Sequence, residues 1–199
     1  MTIYSIMVKI DLPHSDIHYH DNFFASCTSN QLFKQLQQEI KWQQDSITIF
    51  GKTHLQPRLT AWYGDKNKTY TYSNITMYPH DWLDCLLTIK HKIEPICKCR
   101  FNSVLLNYYR HGRDSMGWHS DNEPELGKNP LIASVSFGGE RRFMFKSRDK
   151  KNPLKSELVL NHGSLLIMAG ETQQYWLHQI PKTTKQVNPR INLTFRNIL

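Results

Sequence analysis

The second half of the chain falls into short segments rich in β-branched and aromatic residues, and this rhythm limits the possible folds more than any other feature. The segments cover residues 103–109, 132–137, 142–146, 157–160, 165–168, 175–180 and 190–198. Gly138-Gly139, Asn161-His162-Gly163 and Asn188-Pro189 supply turn chemistry between them. Strands this short bury a face only by packing on one another, so a sandwich, barrel or jelly roll is expected. Ahead of them, Leu32, Phe33, Leu36 and Ile40 recur at helical spacing within 30–43, with Ser29 or Asn30 as the expected cap. Trp82, Leu86, Ile89 and Ile93 do the same within 81–93, where Pro95 is expected to end the helix. Residues 47–50 and 69–77 read as further strands, and the first thirty residues are weakly patterned.

With 199 residues and no repeat, low-complexity segment or linker, the chain reads as one domain, 1–199. Lys and Arg exceed Asp and Glu by 25 to 17, so a polyanionic partner is plausible from charge alone. No apolar run reaches membrane-span length and the N-terminus carries no leader pattern, which predicts an intracellular protein. Cys27, Cys85, Cys97 and Cys99 lack the spacing of a disulfide framework and read as reduced thiols.

His119 and Asp121 stand two apart in Trp118-His119-Ser120-Asp121-Asn122-Glu123, so on an extended chain both side chains project to one side and can meet one ion. His178, on a later predicted strand, completes a two-histidine, one-carboxylate set of the type used by non-haem Fe(II) oxygenases. His18-Tyr19-His20 and Cys97-Lys98-Cys99 read instead as surface or packing residues.

In the last segment, alternation puts Ile191, Leu193 and Phe195 on one face and Arg190, Asn192, Thr194 and Arg196 on the other. Either this is an edge strand whose polar face meets water, or the polar face lies inside a barrel. In the second case two buried guanidiniums require a dianion, because an unpaired buried charge is too costly to keep. A small dicarboxylate such as 2-oxoglutarate fits that need.

Asn107-Tyr108-Tyr109, His119-Ser120-Asp121-Asn122-Glu123, residues 132–138, His162-Gly163-Ser164-Leu165-Leu166, His178 and residues 190–196 together resemble the AlkB family of 2-oxoglutarate- and Fe(II)-dependent nucleic-acid demethylases. The resemblance runs from about residue 47 to the end. Gly51-Lys52, Gln56-Pro57-Arg58 and Trp62-Tyr63-Gly64-Asp65 are similar to the branch that contains the human DNA-repair members. It implies an α+β, mainly β fold: a double-stranded β-helix, or jelly roll, over 96–199, with N-terminal helices and nucleotide-recognition hairpins over 1–95. Iron would be held by His119, Asp121 and His178. Arg190 would take the distal carboxylate of 2-oxoglutarate and Arg196 the carboxylate beside the keto group, with Asn107, Tyr109 and Asn192 assisting. The implied chemistry consumes dioxygen and 2-oxoglutarate, yields succinate, and oxidises an N-methyl group that departs as formaldehyde.

An oxidant fixed inside a barrel reaches only a base that is flipped out or already single-stranded. Tyr70 and Tyr72 share one side of a strand, and the resemblance implies that Tyr72 and the His119 ring sandwich the base while Tyr70, Arg58 and Glu123 meet its edge. Phe50 matches the aromatic that the duplex-acting member inserts into the base stack. Asn122 departs from the aspartate of the repair members. Lys146, Arg148, Lys150, Lys151 and Lys155 form either a phosphate grip or a solvated loop. The expected partner of this monomer is alkylated DNA, duplex or single-stranded, in the cytoplasm, or in the nucleus of a eukaryote. An RNA demethylase, or a non-catalytic nucleic-acid-binding module with a relict metal site, is the alternative.

Overall fold

The computed structural model describes residues 7–49, 51–66, 70–72 and 75–199, with the backbone alone at 48–49, 70–72 and 75–77. Strands Met7–Ile10 (β1) and Asp16–His20 (β2) precede helix Ser26–Glu39 (α1). Ser46–Ile49 (β3), Lys52–Leu55 (β4), Leu59–Gly64 (β5), Tyr70–Tyr72 (β6) and Ile75–Met77 (β7) lead to helix Asp84–Cys97 (α2). Then come Ser103–Tyr109 (β8), Met116–His119 (β9), Ile132–Gly138 (β10), Arg141–Ser147 (β11), Lys155–Leu160 (β12) and Ser164–Ala169 (β13). A single helical turn, Thr172–Tyr175 (α3), runs into Trp176–Ile180 (β14), and Arg190–Arg196 (β15) closes the fold. Among the described residues no helix is long and apolar enough to cross a membrane.

The strands form a seven-stranded sheet ordered β1-β2-β13-β10-β15-β8-β5, a four-stranded sheet ordered β12-β11-β14-β9, and two hairpins, β3-β4 and β6-β7. All the pairings of these sheets and hairpins are antiparallel. β15 lies between β10 and β8, with Asn192 opposite both Ser136 and Asn107. This removes the edge-strand reading of the last segment. Every residue of β15 is buried, and its two faces look into different cores.

The outer face of the large sheet, through Val104, Leu106, Val135, Phe137, Ile191, Leu193 and Phe195, packs on Leu32 and Leu36 of α1 and Leu86, Ile89 and Ile93 of α2. A second cluster, with Trp62, Phe145, Leu166, Met168 and Trp176, fills the space between the two sheets. The helices thus cover one side of the large sheet and leave its polar side free to face the small sheet.

Both helices depart from the boundaries expected from the sequence. α1 starts at Ser26, before the expected cap, because the Phe24 amide is already fixed to the Gly163 carbonyl at 2.9 Å and Ser29 is drawn inside the helix, its hydroxyl donating to the Phe24 carbonyl at 3.1 Å. α2 runs past Pro95 to Cys97. Buried Ile93 and Cys97 hold the last turn against the core, and Lys98 in the left-handed conformation caps it, its amide donating to the Glu94 carbonyl. All four cysteines are free thiols.

Candidate active site

The inward stripe of the large sheet is polar where a sandwich would ordinarily be apolar. Arg190, Asn192, Thr194 and Arg196 lie on it, each at most 8 % exposed. Asn192 donates to the Ser134 hydroxyl at 2.8 Å and the Val135 carbonyl at 3.1 Å, and Thr194 donates to Asn192 Oδ1 at 3.2 Å. Arg190 is 1 % exposed; its Nη2 donates to the Ser136 hydroxyl at 2.9 Å, while Nε and Nη1 have no partner. Burial pulls its guanidinium down to about 10, which leaves it protonated at neutral pH. Buried, charged and two donors short, it is a socket for a carboxylate.

Across the cavity the small sheet brings His119 and His178 opposite each other on β9 and β14, their ring centroids 4.2 Å apart. Asp121 follows two residues after His119, and one ligand atom from each of the three lies within 4.8 Å of the others. Among the described residues this is the set of His, Cys, Asp and Glu that clusters in this way. The His119 Nδ1 atom lies 2.8 Å from the Gly117 carbonyl and donates to it, leaving Nε2 with its lone pair toward the cluster. Burial and the neighbouring His119 lower the His178 pKa to about 3, so its ring is neutral at physiological pH. Burial opposes ionisation of Asp121, but the charge of Arg196 and the two imidazoles more than reverse this and hold it at about 2. Two imidazoles and one carboxylate suit a divalent iron ion.

One cavity, with about 1020 Å³ of empty space partly open to solvent, joins these groups. Arg58, Asn107, Tyr109, His119, Asp121, Glu123, His178, Arg190, Asn192 and Arg196 all line it, so the structure brings together ten of the thirteen residues expected from the sequence. Arg58 Nε donates to Asn107 Oδ1 at 2.6 Å, and Glu123 Oε2 is buried without a partner. Tyr70 and Tyr72 are placed by backbone alone on β6, and Phe50 lies outside the described residues. Leu105, Met116, Phe143 and Ile180 supply apolar wall, which strengthens every charge interaction inside.

Three lining or supporting residues were not foreseen. Gln173, on α3, accepts the Asp121 amide at 3.0 Å and so fixes the backbone of a candidate ligand. Asp45 lines the cavity and accepts from the Thr60 hydroxyl at 2.8 Å, and Gln56 lies beside it. Gln173 and Asp45 sit in no periodic or motif-like context and only the fold brings them in, whereas Gln56 belongs to the Gln56-Pro57-Arg58 segment that carries part of the resemblance. Arg148 reaches from the end of β11 to donate to the Ser120 hydroxyl at 2.5 Å, one residue from each of two candidate ligands.

The family model described as "2OG-Fe(II) oxygenase superfamily" matches residues 16–196. "Alpha-ketoglutarate-dependent dioxygenase alkB homolog 3" of Bos taurus is 45% identical over 180 residues, which is 85% of this chain and 62% of that protein. The Homo sapiens protein of the same name is 44% identical over 84% of this chain and 60% of its own length. "DNA oxidative demethylase ALKBH2" of Homo sapiens is 38% identical over 185 residues, covering 88% of this chain and 71% of the relative. The solved structure described as "The structure of OsALKBH1" superposes with a TM-score of 0.63 over 96% of this chain and 100% of that one, at 16% identity, a likeness of fold.

Proposed function

The chain belongs to the 2OG-Fe(II) oxygenase superfamily, within its AlkB family, and from that premise we propose that it oxidatively removes methyl groups from alkylated bases of DNA, N1-methyladenine and N3-methylcytosine above all. The chain spans 62% of the length of the Bos taurus alkB homolog 3 it matches. The observation that carries it is the meeting of the His119, Asp121 and His178 cluster with the two unpartnered donors of Arg190 in one cavity.

His119, Asp121 and His178 would hold Fe(II), and Arg190 would take the distal carboxylate of 2-oxoglutarate by a charge-assisted pair. With dioxygen these supply the oxidation of an N-methyl to an N-hydroxymethyl group, coupled to decarboxylation of 2-oxoglutarate to succinate and followed by loss of formaldehyde. The protein's share is placement. The Gly117 carbonyl fixes the His119 tautomer and Gln173 fixes the backbone at Asp121. Asn192 and Asn107, facing each other across β15 and β8, border the 2-oxoglutarate subsite with Tyr109, whose ring centroid lies 5.3 Å from the Arg190 guanidinium carbon. Phe143 and Ile180 limit water. Glu123 and Arg58 meet the edge of the base, and Tyr72 with the His119 ring its faces, with Tyr70 beside them.

The target base reaches this cavity only when flipped out or already single-stranded. A partner that is duplex DNA rests on Phe50 as the inserted aromatic; single-stranded DNA and RNA are the alternatives. The protein acts as a monomer, where DNA is: in the nucleus of a eukaryote, in the cytoplasm otherwise. The test is to incubate the Fe(II)-loaded protein and 2-oxoglutarate with one methylated sequence offered as single-stranded DNA, duplex DNA and RNA, and to measure formaldehyde. Release from either DNA form supports the reading; release from RNA alone overturns the choice of DNA.

A further inference from the structure

We infer that Arg141, which stands outside the cavity lining, supplies a second positive charge to the 2-oxoglutarate subsite from behind Tyr109 and so favours a dianion over a monoanion. The inference rests on the reading of Arg190 as the arginine that takes the distal carboxylate, and it adds a specificity-determining residue to that subsite.

Arg141 opens β11 and is 4 % exposed. Its hydrogen bonds go to backbone carbonyls: Nη2 donates to those of Asp114 at 2.9 Å and Pro181 at 2.7 Å, and Nη1 to that of His111 at 3.4 Å. Asp114 is the carboxylate whose charge Arg141 feels, but that carboxylate is already taken by Arg110, whose Nε and Nη2 donate to it at 2.8 and 3.0 Å. Carbonyls orient a guanidinium without cancelling its charge, and a buried cation of this kind gains when an anion arrives. Burial lowers the Arg141 pKa against the opposing effects of Tyr109 and Asp114, from an ordinary value too high for the group to discharge at neutral pH.

The strand order brings this cation to the cosubstrate subsite. Arg190 on β15 stands opposite Tyr109 of β8 on one side and Gly138 of β10 on the other, and β11 starts just beyond the turn that follows Gly138. The Tyr109 ring therefore has two guanidinium carbons against it, that of Arg190 at 5.3 Å from its centroid and that of Arg141 at 5.6 Å. Tyr109 and Arg190 line the cavity, and Arg141 is set back from it. After burial, the charge of Arg141 is what draws the Arg190 pKa down, so the two cations repel each other across the site. The other arginine of the polar stripe is committed elsewhere: Arg196 donates to Asp121 Oδ1 at 2.5 Å, a cation and a carboxylate that offset each other. A ligand carboxylate at Arg190 thus meets the field of two guanidiniums beside an apolar wall, where charges act more strongly than in water. A ligand without that carboxylate forfeits both attractions.

The experiment titrates the anaerobic Fe(II)-loaded protein with 2-oxoglutarate and with 2-oxopentanoate, which carries a methyl group in place of the distal carboxylate. Wild type, Arg141→Lys and Arg141→Met are compared. Arg141→Met is expected to weaken 2-oxoglutarate binding about tenfold and 2-oxopentanoate binding clearly less, by about threefold at most, with Fe(II) affinity unchanged. Arg141→Lys keeps the charge and loses the planar fork, and is expected to stay within about threefold of wild type on both ligands. Equal losses in Arg141→Lys and Arg141→Met, or equal losses on the two ligands, would make Arg141 a structural support and overturn the inference. Should Arg141→Met fail to fold, Arg141→Gln, which removes the charge and keeps an amide donor, takes its place in the same comparison. A wild type that binds 2-oxoglutarate no better than 2-oxopentanoate would overturn the reading of Arg190 and this inference together, whereas a discriminating wild type matched by a folded, uncharged Arg141 variant overturns this inference alone.

Discussion

Arg196 Nη2 donates to Asp121 Oδ1 across 2.5 Å, tying the last strand to the residue that follows β9 by two positions. The other oxygen of the same carboxylate lies 3.6 Å from His178 Nε2. Arg196 is therefore placed to orient a candidate metal ligand, besides facing the subsite expected for the keto-acid end of 2-oxoglutarate. Arg196→Ala is predicted to weaken metal and cosubstrate binding together, the metal by roughly 10- to 100-fold, as is usual when a ligand loses its orienting partner. Anaerobic calorimetric titration with Fe(II) measures it; unchanged metal affinity would confine Arg196 to the cosubstrate.

Arg190 is predicted to act on the cosubstrate alone. Its nearest charged companions are not metal ligands, and it lines the cavity with two buried nitrogens that have no hydrogen-bond partner. Arg190→Ala should raise the 2-oxoglutarate requirement steeply, by roughly 2 to 5 kcal/mol for a buried charge-assisted pair. The expected result in steady-state kinetics is a large rise in the apparent KM for 2-oxoglutarate with Fe(II) binding intact. An unchanged KM would exclude the assigned role.

A third prediction concerns charge. Glu123 lines the cavity and has a buried carboxylate oxygen without a partner, and N1-methyladenine and N3-methylcytosine are cations. Glu123→Gln keeps the shape and removes the charge, so repair of these two bases should fall more than repair of a neutral etheno adduct. Equal losses on both lesion classes would make Glu123 structural.

The fourth prediction tests the scaffold. Glu94, 7 % exposed, accepts the Phe101 amide and the Lys90 ammonium, each at 2.9 Å. Burial works against its ionised form, but the Phe101 hydrogen bond and the Lys90 pair prevail and hold its pKa below the ordinary glutamate value. A depressed carboxylate pKa stabilises the fold above the unfolded value, and that gain fades as pH falls through the folded one. Glu94→Ala should cost about 1 to 3 kcal/mol near neutrality by orphaning the Phe101 amide and Lys90. In thermal melts the gap between wild type and variant should narrow below the ordinary glutamate range, with 2-oxoglutarate affinity unaffected. A gap independent of pH would contradict the ionic part of the argument.

How much of this was legible beforehand depends on what each residue's signal was made of. β8 is readable to the residue because it is a compact run of β-prone residues, and the polar stripe of β15 is visible as a pattern, but which face lies inside is settled only by β10 and β8 on its two sides. β1 and β2 carry weak alternation and were missed; β2 is held by its pairing with β13, a partner more than a hundred residues away. β9 was hidden by Gly117 and its exposed neighbour Trp118. Asp45 belongs to the site only because the segment 43–45 bridges to β5 through Gln43 and Thr60, a contact with no local signature.

The central claim is tested most directly by measuring formaldehyde and succinate released from an N3-methylcytosine oligonucleotide by wild type and Asp121→Ala, with iron content and folding checked in both. The prediction is equal amounts of the two products from wild type, dependent on Fe(II) and 2-oxoglutarate, and none from Asp121→Ala although it folds. Iron-loaded wild type that releases no formaldehyde, or Asp121→Ala that keeps substantial activity with normal iron content, would contradict it.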